Sequence, residues 1–134
     1  MSPSLFRRGE KEKPSDMEPE EARVTELDWI CGEDKEVCQA LLHTMFLDPR
    51  KISVTIKDAA KKAADLEKKK ENERARMWYH VAGGLALWEG DIAKVKQYFG
   101  KCEKLAPEMG YELINKIPEK AVAKAQEYYK QHLK

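Results

Sequence analysis

Apolar residues recur at three- and four-residue intervals over most of this chain, the spacing that lines one face of a helix. The pattern is strongest between residues 76 and 107. Met77, Trp78, Val81, Ala82, Leu85, Ala86 and Trp88 make one broad apolar surface, and Ile92, Val95, Tyr98, Phe99, Cys102 and Leu105 make a second stripe. Glu89-Gly90-Asp91 between them reads as a tight turn, with Gly90 in the left-handed position that closes one helix and Asp91 capping the next. Pro107 stops the second helix. Residues 108–116 read as a short helix, and Pro118 opens a last one with Ala121, Val122, Ala125, Tyr128, Tyr129 and Leu133 on its face.

The N-terminal half is less regular. Residues 1–15 carry Ser, Pro, Gly and mixed charge around Leu5 and Phe6, and are expected to form a flexible arm. Asp16 is placed to cap a first helix, with Pro19 and three glutamates in its opening turn and Val24, Leu27, Trp29 and Ile30 as its apolar face. Gly32 breaks it. A second helix is expected from about Glu33 to Leu47, ended by Asp48-Pro49, because a residue before proline is pushed out of the α region. Ile52, Val54 and Ile56 alternate briefly, but a helix start capped by Ser53 or Thr55 is favoured over a strand that has no partner. Ile56, Ala59, Ala60, Ala63, Ala64 and Leu66 follow on one side. Residues 67–76 are nearly all charged and are expected to continue as exposed helix, supported by Glu–Lys and Glu–Arg pairs three residues apart; a loop near Asn72 is the alternative.

Residues 76–107 resemble a tetratricopeptide repeat, a helix pair of roughly 34 residues. Gly83 falls where that family has its small residue for close helix approach, and Gly90 at the inter-helix turn. Phe99 matches the packing aromatic, Cys102 a small residue near the end of the second helix, and Pro107 the terminating proline. Tyr79 stands where tryptophan is usual, Val95 replaces alanine and Ala86 replaces an aromatic. No second copy follows, and a solenoid needs about three, so the pair stands alone in an irregular bundle. The resemblance implies that Met77, His80, Gly84, Leu87 and Trp88 lie on the face that binds peptides in that family. The competing reading buries Leu87 and Trp88, since a chain of 134 residues needs its large apolar groups inside.

Charged residues make up 37% of the chain, yet 25 Lys+Arg balance 24 Asp+Glu, so net charge gives no general attraction to nucleic acid or membrane. That balance hides a segregation: residues 16–36 hold nine acidic and two basic side chains, whereas residues 92–134 hold nine lysines and five glutamates. Either the two regions pair within the chain or the basic half serves an acidic partner. Abundant Lys and Glu with 2 Asn and 4 Gln fit a heat-adapted source. The longest apolar run is far short of the about 20 residues of a membrane span. Three cysteines and no secretory leader point to the cytoplasm. Cys31, Cys38 and His43 are spaced too widely for a zinc site, so no metal or cofactor is expected. His43, His80 and His132 have no nucleophile motif beside them.

These readings converge on an all-α fold: a single domain over residues 16–134, built as an irregular bundle of five to six helices. The favoured function is a non-catalytic protein-interaction or scaffold module that takes a protein or peptide partner at Met77, His80, Gly84, Leu87 and Trp88. The alternatives are a nucleic-acid-associated protein using Lys57, Lys61, Lys68 and the C-terminal lysines, and a small enzyme with a site near His80. Tyr128 and Tyr129 suggest self-association as a homodimer.

Overall fold

The computed structural model describes residues 34–133. The arm at 1–15, the helix expected after Asp16 and Cys31 lie outside the described residues. Six α-helices and two 3-10 turns make up the described part, with no strand among the described residues. They are α1 (Lys35–Thr44), α2 (Ile56–Lys68), α3 (Asn72–Glu89), α4 (Ile92–Leu105), α5 (Glu112–Lys116) and α6 (Pro118–His132), with 3-10 turns at Pro49–Lys51 and Pro107–Met109.

The local chemistry explains most boundaries. Asp34 caps α1 by accepting from the Val37 amide at 3.1 Å, Thr55 caps α2 through the Asp58 amide at 3.1 Å, and Asp91 caps α4 through the Lys94 amide at 3.1 Å. Gly90, at φ 76°, ends α3 in a Schellman turn: its amide donates to Leu87 O and the Asp91 amide to Ala86 O. The helix α1 ends at Thr44, short of Leu47; the chain leaves it extended at Met45 and bends at Leu47 before the 3-10 turn.

One expectation fails. The charged stretch 67–76 is not continuous helix. Between α2 and α3 the chain makes a second Schellman turn, with Lys70 N donating to Glu67 O and Glu71 N to Leu66 O, both at 2.9 Å. Lys70 occupies its left-handed position at φ 64°, the only non-glycine residue with positive φ among the described residues. The turn lets α3 fold back on α2 and bury Leu66, Ala75 and Tyr79. That burial outweighs the local strain of about 1 kcal/mol that a side chain brings to this conformation.

Helix α3 is the axis of the bundle. α2 and α4 pack against it as its sequence neighbours, and α1 and α6 reach it from the rest of the chain. α3 and α4 are antiparallel and close: a Cβ added to Gly83 would lie 2.7 Å from Cε2 of Phe99. Helices α1 and α6 run in the same direction, tied by Asp34–Lys120 at one end and by the Tyr129 hydroxyl donating to Phe46 O at 2.6 Å at the other. The core between them holds Val37, Leu41, Leu87, Val95, Phe99, Tyr111, Ile114 and Tyr129, all fully buried.

Candidate interaction site

The five residues that the helix-pair resemblance singles out share a helix but not a surface. Met77 is 47% exposed, whereas Leu87 is fully buried. Gly84 is buried with the Phe46 ring seated directly on it, so closely that a Cβ there would overlap Phe46 Cε2. Trp88 is half-buried and stands edge-on to Tyr129, ring centroids 4.8 Å apart. His80 turns inward. The face that would be open in an isolated helix pair is thus covered here by the chain after α1 and by α6. Gln126 of α6 adds to the cover, donating from Nε2 to Leu87 O at 2.6 Å and Trp88 O at 3.0 Å, which satisfies carbonyls at the end of α3. Leu87 and Gly84 therefore offer nothing to a partner. The cause is length: the helices flanking the pair bring Phe46 and Tyr129 onto the exposed apolar face and bury it.

His80 belongs to a polar cluster assembled from three helices and the turn before α5. Its Nδ1 lies 2.8 Å from the Tyr111 hydroxyl, and Arg76 donates from Nη1 to the same oxygen at 2.9 Å. Because the guanidinium only donates, the phenol keeps its own proton for a second neighbour, Nδ1 of His80 or the Cys102 sulfur. The His43 ring, from α1, packs 4.7 Å from Tyr111 and 6.0 Å from His80. Cys102, from α4, reaches Arg76 O at 3.5 Å. Burial, and then the positive potential of His43 and Arg76, push His80 down to about 4. His43 is lowered for the same reasons, burial first and Arg76 second.

These shifts limit the chemistry. His80 is neutral at pH 7 but too weak a base to take a proton efficiently there. Burial raises the Cys102 thiol to about 12, so it is not a thiolate nucleophile despite the nearby imidazole. Among the described residues no carboxylate is hydrogen-bonded to His80; a buried one beside it would have favoured the enzyme reading. Among the described residues no group of three His, Cys, Asp or Glu side chains is close enough to share a metal ion.

Beside the cluster, on the other side of Phe46, lies an apolar groove of about 440 Å³, lined by Phe46, Leu47, Ile52, Tyr128 and Leu133 with Asp48 and Lys51 at its rim. Asp48 is engaged by Arg50, which donates to its carboxylate at 2.8 and 3.1 Å and lowers its pKa. Lys51 is exposed. The signals for this groove were present in the sequence but scattered: Phe46 and Leu47 read as the end of a helix, and Ile52 as part of a brief alternation. A further groove of about 390 Å³, between α2 and α3, is lined by Lys61, Lys62, Lys69 and Arg74, but also by Asp58, Asp65 and Glu71. Lys57, Lys61 and Lys68 are exposed on α2 as expected, and Lys62 also lies 4.9 Å over the Trp78 ring.

No family model, curated protein or solved structure matches this chain. Among the described residues no helix is long and apolar enough to cross a membrane.

Proposed function

We propose that this chain is a non-catalytic protein-interaction module, and that it receives an apolar segment of a partner in the groove beside Phe46. One observation carries the reading: three aliphatic and two aromatic side chains line a concave surface of about 440 Å³, within the size range of pockets that accept a large side chain or a short peptide. Aromatic anchors in such a concavity are where binding energy concentrates in interfaces. The rim defines the partner further. Asp48 is already paired, so Lys51 is the rim charge left for a partner, and an apolar segment followed by an acidic residue is the complement.

Interleaved carboxylates weaken the lysine-rich alternative. Asp58, Asp65 and Glu71 stand among the cations of the α2–α3 groove and repel a phosphate backbone.

The test is affinity capture from native extract with the wild type and three variants: Ile52→Asp and Leu133→Asp in the groove, and Met109→Asp on an exposed apolar residue outside it. The proposal expects one discrete partner, retained by Met109→Asp and lost by both groove variants while their helical circular dichroism stays unchanged. Equal capture by all four proteins overturns it, as does recovery of only a second copy of this chain.

A further inference from the structure

The polar cluster beside the groove has an imbalance of its own. Arg76, His43 and His80 bring two ionisable imidazoles and a permanent cation together, and among the described residues no carboxylate lies within ion-pair distance of Arg76. The Glu71 carboxylate is taken by Arg74 and the Glu67 carboxylate by Tyr79 and Lys101. Two buried nitrogens have no hydrogen-bond partner: Nε of Arg76 and Nε2 of His43. Buried polar atoms are nearly always hydrogen-bonded, so two unpartnered nitrogens in one cluster leave room in its hydrogen bonding for a further polar group.

The geometry of the guanidinium points to the kind of ligand. Arg76 uses Nη1 on Tyr111. Its free Nε belongs to the opposite edge, where Nε–H and Nη2–H lie parallel and match the two oxygens of a carboxylate or phosphate. His43 Nε2 supplies a further donor from α1 when the proton sits on that nitrogen. Both side chains are half-buried, so part of each reaches solvent while Tyr111 keeps its hold on Nη1.

We propose that Arg76 and His43 form a binding site for a small oxyanion, carboxylate or phosphate, with Tyr111 fixing the guanidinium from behind. Tyr111 is a positioning residue: its hydroxyl holds Nη1 and leaves the Nε edge for the anion. The site is separated from the apolar groove by the Phe46 ring, which lies 6.0 Å from His80, and it stands or falls independently of partner docking.

The test is a titration of the whole protein, at about pH 7.5 where His43 and His80 are neutral, followed by NMR at the Arg76 Nε–H and at both imidazoles. Sodium acetate and inorganic phosphate are the probes, and sodium chloride at matched ionic strength is the control. The proposal expects a saturable shift at Arg76 Nε and His43 with at least one oxyanion and none with chloride. Saturation by acetate identifies a carboxylate ligand, and saturation by phosphate alone a phosphate. Arg76→Lys keeps the charge but loses the fork and weakens binding about ten-fold; His43→Gln weakens it severalfold with the fork intact. Absence of saturation with both oxyanions, an equal response to chloride, or unchanged affinity in Arg76→Lys overturns the proposal.

Discussion

Acid should destabilise this protein well before its carboxylates titrate, and His80 is the main reason. In the unfolded chain His80 titrates near 6.5, whereas in the folded protein burial and the neighbouring His43 and Arg76 hold it at about 4. The unfolded state therefore binds the proton first. Stability is fully present above 6.5, falls as pH drops toward 4, and loses nothing more from this group below that. At about 1.4 kcal/mol per pH unit, the gap between 6.5 and about 4 corresponds to a loss of about 3 kcal/mol, more than half of it gone by pH 5. His43 is shifted in the same direction and adds to the loss. Against a typical domain stability of about 5–15 kcal/mol, this is a large fraction. Urea denaturation followed by circular dichroism, at steps between about pH 7.5 and about pH 4.5, measures it directly. His80→Gln should start less stable, because the imidazole contacts with Tyr111 and Phe99 are lost, but should show a much flatter pH dependence over this range. A wild-type stability that does not change between those limits, or a His80→Gln profile parallel to the wild type, would refute the account of the cluster.

Two further outcomes follow from the helix junctions. Lys70→Gly should raise stability by about 0.5–1 kcal/mol, since glycine adopts φ 64° without the steric cost that a lysine bears there; the urea midpoint reads it, and a destabilised variant would contradict the Schellman turn. Gly83→Ala should cost about 1–3 kcal/mol, because its Cβ would press on a Phe99 ring that is itself fully buried and has little room to move.

The helices were legible where local chemistry and periodicity agreed. Asp91 and Thr55 are caps, Gly90 is a left-handed terminus, and Pro118 opens a helix, each for a reason that acts within a few residues. The break at Lys69–Glu71 was legible only as the lesser alternative, a loop near Asn72. Its left-handed residue is a lysine, and the charged pairs around it favour a helix just as strongly. What forces the turn is the distant requirement that α2 lie against α3. The site was illegible for the same reason. Met77, His80, Gly84, Leu87 and Trp88 follow one another along α3, but whether that face is open depends on Phe46, Gln126 and Tyr129, which are remote in sequence: Gln126 lies 39 residues from Leu87 and 38 from Trp88. Paired glycines at 83 and 84 were the one local hint: each accommodates an aromatic ring, Phe99 on one side and Phe46 on the other. Arg76 and Tyr111 carried no signal, because their pairing spans 35 residues.

The central claim is that a partner enters the groove walled by Phe46, Ile52, Tyr128 and Leu133, and not along the exposed length of α3. Site-specific photo-crosslinking tests it most directly, with a photoreactive amino acid placed at Ile52 in one preparation and at Met77 in another, each exposed to native extract. The account predicts a single crosslinked partner from position 52, competed by unlabelled wild-type protein but not by Ile52→Asp, and no such adduct from position 77. A competed adduct from position 77 with none from position 52 would contradict it.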